Sequence, residues 1–535
     1  MLTGYRVLDI SQFVAGPTCT RILAELGAEV IKLELAPVGD RGRLSGDKPR
    51  DPALKKSSQS TYYFQHNHSK KSFAVDIKQD RGRELVYALI PKIDVVVENF
   101  APGVMERAKL GYEKLSELNP RLIMCSISLA GQTGPLSDKP GFDYMGAAYA
   151  GITAAIGELD RGPAQLPIAI GDSATGVTAA MAIGFALLHR ERTGECQYID
   201  CSLLDTYFNM HEVNVPKCSL RGKQFQPPRM GSLHPDGGPT GVFRCRNNEF
   251  ISIMVMPYQW VQFTKAMNMP ELADDVRFRD ARSRRDNNKE LQAIIENWLA
   301  RFENREQAMA ALEAERVPCA PVFTLHETIA HPHLRERGTV RRVTDHEIGE
   351  FDIPGLAAKF SRWAPPAEVK ADRLGEHNEE ILRDMLKLSE ADIRELYLDK
   401  TIVCDPLVSG LNNMATRFKP GAISVSNSNI LAVIVDSDVK KPVIFPPGWG
   451  RPATKPSPTG SDTVTNTIGI VRVSRWSAAV TGVPCERITS GCRTTNSLAK
   501  VRIRSMSPLP QRISICRLRP SIHPNSASPC VNPES

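Results

Sequence analysis

Asp172 is the side chain in this sequence best placed to do chemistry. It stands in LPIAIGDSATGVTAAMAIGFALLHRERTG, residues 166–194. There a short apolar run, Leu166 to Ile170, reaches Gly171-Asp172, and an almost uncharged stretch follows. A carboxylate at the start of an apolar helix has two uses. As a cap it accepts hydrogen bonds from the first free backbone amides. As a nucleophile it is kept ionised by the positive end of the helix dipole. The stretch alone leaves both open, and the cap is the commoner use. Other reactive side chains have plainer readings. His66 and His68 in FQHNHSKKS lack further ligands at metal spacing and read as loop residues. Cys196 and Cys201 flank a predicted strand and read as buried apolar side chains. A single Lys or Arg outside a motif is ordinarily a solvated surface charge.

The elements around Asp172 read as an α/β fold. A helix is predicted from Ser173 to about Arg190, with basic residues in its last turn and Gly194 as its stop. It is apolar nearly all round, so it is expected to be buried. Upstream, strands are predicted at Tyr5–Ser11, Glu29–Leu33, Ser72–Ile77, Asp94–Glu98 and Leu122–Ser128. Helices alternate with them at Pro17–Leu26, Gly82–Ile90 and near Val104–Arg107. That alternation implies a parallel sheet with right-handed crossovers. The polar connection Val38–Ser60 is long for a structureless loop, which suggests binding or wrapping. Another strand, Gln197–Cys201, and a short helix to about Glu212 follow.

Residues 1–214 read as the first part of a large domain and 215–241 as a Pro/Gly-rich linker. Residues 242–317 read as a small α+β domain, opened by a hairpin around Asn247-Asn248. Its helices are predicted at Trp260–Met267, Glu290–Arg301 and Arg305–Glu315. Residues 318–403 return to the large domain, with helices at Asn378–Leu386 and Glu390–Leu398. Residues 404–535 hold 15 of the 39 prolines and little periodicity. They read as a mostly disordered tail, either a genuine basic tail or a read-through extension. Within it, NILAVIV (429–435) is the one strand-like run.

Composition excludes several classes. Of 535 residues, 41% are hydrophobic and 24% charged, ordinary for a globular protein. No basic-then-apolar leader opens MLTGYRVLDIS, so no signal peptide is expected. The apolar runs Tyr144–Gly157 and Ala174–His189 are too short and too rich in Ala and Gly to suggest a membrane span. The 12 cysteines lack CxxC pairing, which fits a reducing compartment. Net charge is +7, but from Cys404 onward 16 Lys/Arg face 6 Asp/Glu, a balance of +10 that leaves −3 for residues 1–403. An argument for nucleic acid would rest on the tail alone.

With these motifs placed, the chain resembles the class III coenzyme A transferases (the CaiB/BaiF type, including formyl-CoA transferase). The resemblance covers about residues 2–403. It is carried by VLDISQFVAGPTCTRILAELGAEVIKLE, HNHSKKSFAVDIK, DVVVENFAPGVMERAKLG, NPRLIMCSISLAGQTGP, PGFDYMGAAYAG, AIGDSATGVTAAMAIGFALLHRERTGECQYIDCSLLD and LGEHNEEIL, in this order. It implies a large Rossmann-like domain and a small domain joined by long linkers, two chains interlocking as rings in a homodimer. It also implies CoA transfer from an acyl-CoA thioester to a carboxylic acid, with no permanently bound cofactor, nucleic acid or membrane partner. The expected compartment is the cytoplasm or the mitochondrial matrix.

By the same resemblance Asp172 is the nucleophile, passing through an anhydride and then an aspartyl-CoA thioester. Amides near the helix start would then stabilise the oxyanion. Val14 and Ala15 in FVAGP correspond to the loop lining the acyl and CoA site. Val75 and Lys78 in FAVDIK correspond to contacts for the adenosine end. Asn99, Phe100 and Arg107 in ENFAPGVMER correspond to positions around pantetheine and phosphates, and Lys139 to another phosphate contact. Arg and Lys near loop amides suit a ligand carrying several phosphate charges. Asp143 in PGFDY matches an acidic family position. The glycine-rich loop that shields intermediates in some relatives is not plainly present in this sequence; Gly231 and Gly237-Gly238 in MGSLHPDGGPTG stand nearby. Val14 and the small residues of Met145–Ala150 suggest a less polar acyl pocket than an oxalate-type substrate needs.

Three alternatives are weighed against this. An acyl-CoA racemase on the same fold pairs its aspartate with a histidine, and Phe142 stands where that histidine would be; phenylalanine cannot move a proton. A nicotinamide dehydrogenase would show GxGxxG after the first strand, where this chain has SQFVAGPTCT. A non-catalytic CoA-binding protein would bind CoA and form no covalent adduct.

Overall fold

The computed structural model describes residues 1–406 other than 52, 53, 55, 56, 236 and 237. The chain divides into Met1–Gly421 and Ala422–Ser535. The latter, with most of the expected tail and the run NILAVIV, lies outside the described residues.

Short β-branched runs make the first sheet. Its strands are β1 (Arg6–Asp9), β2 (Glu29–Leu35), β3 (Lys71–Val75), β4 (Val95–Glu98), β5 (Ile123–Ser128) and β6 (Tyr198–Ser202). All pair in parallel, in the order β3-β2-β1-β4-β5-β6. Parallel sheets are covered on both faces, and alternate side chains serve the two layers. Leu8, Ile31, Phe73 and Val96 point into one layer, which helix α3, introduced below, and the returning C-terminal residues Ile381, Leu382, Ile393 and Leu396 complete. Val7, Val30, Val95, Val97 and Ile123 point into the other.

The helices through the first sheet are α1 (Ala15–Glu25), α2 (Thr61–Asn67), α3 (Asp80–Leu89), α4 (Val104–Arg107), α5 (Tyr112–Leu118), α6 (Asp143–Tyr149), α7 (Ile152–Ala155), α8 (Ile170–Thr193) and α9 (Leu203–Asn209). Helix α8 lies on α1 in the second layer, through Ala179, Ala180, Ile183, Ala186 and Leu187. A Cβ on Gly176 would stand 2.6 Å from the Ala15 carbonyl oxygen, so glycine here lets the two helices approach closely.

Several expectations are corrected. The helix expected from Ser173 begins earlier, at Ile170, and the apolar run before it is irregular. Helix α8 has 24 residues, and it is long and apolar enough to cross a membrane, contrary to the reading of Ala174–His189 as too short. It is not buried all round. Thr175, Gly176, Ala179, Ala180 and Ile183 face inward, while Val177, Met181, Phe185 and Leu188 are 55%, 56%, 65% and 44% exposed. The stretch 215–241 is not linker throughout, because its beginning lies in α10 (Asn214–Arg221).

A second sheet pairs β7 (Thr240–Arg244), β8 (Phe250–Met254) and β9 (Cys319–Pro321) in antiparallel fashion. Asn247 and Asn248 turn the β7–β8 hairpin at φ 60° and 59°, a region asparagine tolerates. Helices α11 (Trp260–Ala266), α12 (Ala281–Asp286), α13 (Asn288–Leu299) and α14 (Arg305–Ala314) follow β8. Their apolar residues close a separate core around Phe243, Ile251, Phe263, Phe278, Ile295 and Leu312. Residues 318–403 hold a further hairpin that the sequence reading missed, β10 (Val340–Asp345) against β11 (Gly349–Pro354).

The free edge of β3 is covered by the end of the described chain. Val75 bridges Ile402, and Val403 N–H donates to the Ala74 carbonyl at 3.2 Å. The docked segment runs past the expected boundary at 404. Asp405 N–H donates to the Leu374 carbonyl at 2.8 Å, and Asp405 Oδ2 accepts from Ser58 N–H at 2.6 Å.

Candidate active site

The start of α8 is built from four backbone amides, and each already has an acceptor. Ile170 N–H reaches the Ile168 carbonyl at 3.0 Å and Ser173 N–H the Ala169 carbonyl at 3.3 Å. Gly171 N–H donates to the Tyr207 hydroxyl at 2.9 Å, and Asp172 N–H donates to Asp143 Oδ1 at 2.7 Å. The Tyr207 hydroxyl in turn donates to Asp143 Oδ2 at 2.9 Å. Asp143, at the head of α6, and Tyr207, on α9, therefore do the capping together. The Asp172 carboxylate accepts no hydrogen bond from the described residues, so the cap reading of Asp172 is set aside. The same geometry corrects the oxyanion expectation: Gly171 and Asp172 N–H are engaged elsewhere.

Asp172 is also not held ionised by the dipole. Burial first, and the Asp143 charge second, push its carboxyl up to about 7. The amides that would have favoured the anion are spent on Asp143 and Tyr207. Gly171 makes room for this clamp, because a Cβ there would stand 2.0 Å from the Tyr207 ring. The Tyr62 phenol lies in the same field. Burial, then Asp172 and Asp40, push it up to about 12.

The sheet order reverses between β1 and β4, and ligands of such sheets bind outside the carboxyl ends at that point. The loops leaving β1 and β4 are locked together there. Asn99 Oδ1 accepts from Gln12 N–H, and Asn99 Nδ2 donates to the Gln12 carbonyl, both at 2.7 Å. Phe13 N–H donates to Asp40 Oδ1 at 3.1 Å. Beneath the loop, buried Lys32 pairs with Asp40 at 3.1 Å and Lys70 with Asp9 at 3.0 Å. Lys32 also donates to the Ser11 carbonyl. Burial opposes charge on Asp9, but Lys32 and Lys70 outweigh it and hold that carboxyl well below the usual range. Beside Asn99, burial pushes Glu98 up to about 7 while it accepts from Phe100 N–H at 2.7 Å.

The carried-over contact positions all follow or end sheet strands, but they do not converge in one cluster. Val14 and Ala15 are buried at the start of α1, next to the Asn99–Gln12 lock. Phe100 is half-buried there. Val75 is fully buried between Leu35 and Ile402, so its side chain belongs to the core. Lys78 is exposed beyond β3, which β2 separates from β1. Arg107 is exposed on α4 with its guanidinium folded over Gly103, and Lys139 is exposed in the loop after β5. Gly231 donates to the Gly157 carbonyl at 3.0 Å and packs against Glu158; Gly237 lies outside the described residues.

His66 is not a loop residue but lies in α2, and His68 stands in the turn after it; both are buried. His66 closes α2 under Tyr62, with ring centroids 5.1 Å apart. Burial, then Arg21, push His66 down to about 3 and hold His68 well below the usual range. Cys201 is buried in β6, whereas Cys196 is partly exposed. Sequence reasoning missed Tyr62, Tyr207 and Asp40. Only Asp40 sat in a segment already singled out, the long polar connection after β2.

Residues 2–378 match CoA-transferase family III. The chain is 33% identical over 408 residues to the succinyl-CoA–D-citramalate CoA-transferase of Chloroflexus aurantiacus, covering 75% of this chain and 98% of that one. It is 34% identical over 403 residues to the succinyl-CoA:glutarate CoA-transferase of Mus musculus, covering 75% and 90%. Its structure is similar to that of a CaiB/BaiF family protein from Brucella suis, with a TM-score of 0.63 and 30% identity over 72% of this chain and 99% of the other.

Proposed function

This chain belongs to CoA-transferase family III and is a CoA-transferase, and on that premise we propose that it moves CoA between acids through a covalent intermediate on Asp172. The observation that carries the reading is the division of labour at α8. Asp143 and Tyr207 cap the helix, and the Asp172 carboxylate is left without a hydrogen bond among the described residues.

The steps follow from that freedom. The Asp172 carboxylate attacks the thioester carbonyl, the C–S bond breaks, and a mixed anhydride and CoA thiolate form. The thiolate attacks the aspartyl carbonyl and expels the donor acid, leaving an aspartyl-CoA thioester. The acceptor carboxylate then attacks that thioester, giving a second anhydride and thiolate. Attack of the thiolate on the acceptor's carbonyl yields the new acyl-CoA and restores Asp172. One covalent carrier divides a difficult exchange into easier ones.

The relatives named above support succinyl-CoA as donor and a five-carbon dicarboxylic acid as acceptor. Lys78 remains a proposed contact for the adenosine end, Arg107 and Lys139 proposed phosphate contacts, and Asn99, Phe100, Val14 and Ala15 proposed neighbours of pantetheine and acyl group. The exposed stripe of α8 supports a homodimer, and the reading places the enzyme in the cytoplasm or mitochondrial matrix.

Asp172→Asn tests the carrier. The amide keeps the shape but cannot form the anhydride, so transfer should fall beyond the roughly 10²–10³ lost with one oxyanion donor. Hydroxylamine added with succinyl-CoA should convert Asp172 to a hydroxamate in the native enzyme, seen as a mass gain on its peptide. Near-normal exchange by the Asn variant would defeat the proposal.

A further inference from the structure

Phe13 is held in a conformation that bulky residues avoid. Its φ is 67°, in the left-handed region. For a residue with a large side chain that conformation is strained, and such strain persists only where the surroundings fix it. Here the surroundings do fix it. The preceding residue is tied on both sides of its peptide to Asn99, and Phe13 N–H is tied to Asp40. Asp40 is itself anchored by buried Lys32 and by Gly42 N–H at 2.8 Å. Glycine would meet the same backbone demand without strain. What glycine would not supply is the ring.

That ring reaches from the β1 loop to the head of α6. It meets Phe142 edge to face, with centroids 6.3 Å apart and planes at 88°. Phe142 is 68% exposed, so it is not a core residue in this chain. Each member of the pair is within two residues of the nucleophile's own supports. Phe142 precedes Asp143, which accepts from Asp172 N–H. Phe13 precedes Val14 and Ala15, and the Ala15 carbonyl packs against Gly176, one turn along α8 from Asp172. The two rings thus span from the β1 loop to the head of α6, at the end of α8 that carries Asp172.

We infer that Phe13 and Phe142 form an aromatic wall beside the acyl group on Asp172, and that this wall selects acids with a methylene chain over oxalate. The inference rests on the reading of Asp172 as carrier. Methylenes laid against the rings leave water with no polar group stranded. Oxalate has no methylene, and its second carboxylate would be pressed against the rings without a partner, which is unfavourable for a charge.

The test compares acceptors at fixed succinyl-CoA: oxalate, succinate (isotopically labelled), glutarate and adipate. The readout is the ratio of kcat/KM for glutarate to that for oxalate. Phe13→Gly suits the backbone and removes one ring; Phe142→Ala removes the other. Each should lower the ratio at least tenfold, in line with the roughly 10- to 200-fold that hydrophobic contacts contribute to discrimination. The double variant should fall no further than the product of the two. A ratio within twofold of the native value in both single variants would overturn the wall, as would an equal loss for every acceptor. Hydroxamate formation at Asp172 in the native enzyme reports on the carrier separately.

Discussion

At the scale of single residues, the Asp172 carboxyl titrates near pH 7 for reasons with opposite consequences for activity and stability. Only the anion attacks a thioester. The kcat/KM for acyl-CoA should therefore rise with pH through about 7 and level off above it. Asp143→Asn removes the like charge and should move that limb to lower pH, although it also weakens the clamp. Stability runs the other way. A carboxyl raised in the folded state binds its proton more tightly there than in the unfolded chain. Its stabilising contribution is complete below about pH 4 and is lost as pH climbs towards 7. Asp172→Asn has no charge to bury. Its melting temperature should exceed that of the native enzyme at pH 8, by about 1–3 kcal/mol in stability, with the gap closing at pH 4–5. A constant gap across that range would show that burial and Asp143 do not govern this carboxyl. None of this was legible in the sequence. The position of Asp172 was, but the helix-dipole argument predicted an ionised group, because it could not know that Asp143 and Tyr207 occupy the first amides.

At the scale of elements, that clamp depends on a missing side chain. Gly171→Ala would place a methyl 2.0 Å from the Tyr207 ring and 2.7 Å from Asp143 Oδ1, so α9 or the start of α8 must move. Overpacking of this kind costs about 1–3 kcal/mol. A shift of about 1 Å at the nucleophile can cost roughly 10²-fold in rate. The expected result is a lower melting temperature together with a loss concentrated in kcat. An unchanged kcat would mean that the clamp does not set the attack geometry. Elements were the most readable level of this chain. The strands β1–β6 and helices α1, α3 and α8 fell near their predicted bounds because period-2 and period-3.6 patterns are local. The misses have a common cause. Ser60 caps α2 through Tyr63 N–H, and β10 pairs with β11 around the turn at residues 346–348. Both depend on tertiary surroundings in polar, weakly patterned sequence, as do the convergence of Phe13 with Phe142 and of Tyr207 with Asp143.

At the scale of the whole molecule, two boundaries remain to be tested. The first is where the fold ends. A chain cut after Val403 would lose Asp405, which ties Ser58 and Leu374 to the end of the docked segment. Truncation after Pro406 should therefore keep native stability and transfer, while truncation after Val403 should lower the melting temperature. Equal stability of the two would mean that Asp405 contributes nothing. The second boundary is the outer face of α8. Val177, Met181, Phe185 and Leu188 recur at helical spacing and stay exposed, on a helix whose inner face is fully used by α1 and the sheet. Exposed apolar stripes of this kind mark contact surfaces. A membrane would satisfy the stripe but would need the packed inner face to be apolar and free as well, and Thr175 and Arg190 are buried there within the chain. A second copy of the chain requires neither. We propose that the stripe is covered in a homodimer, and that the long connections between the two sheets let the chains interlock. Interlocked chains cannot part without unfolding, so sedimentation should show a dimer down to nanomolar protein. Phe185→Glu should not produce folded monomers; it should lower the yield of folded protein, because assembly and folding are then one process. A concentration-dependent monomer in the native enzyme, or a stable, active Phe185→Glu monomer, would rule out interlocking, and a Phe185→Glu dimer obtained in native yield would remove the stripe from the interface.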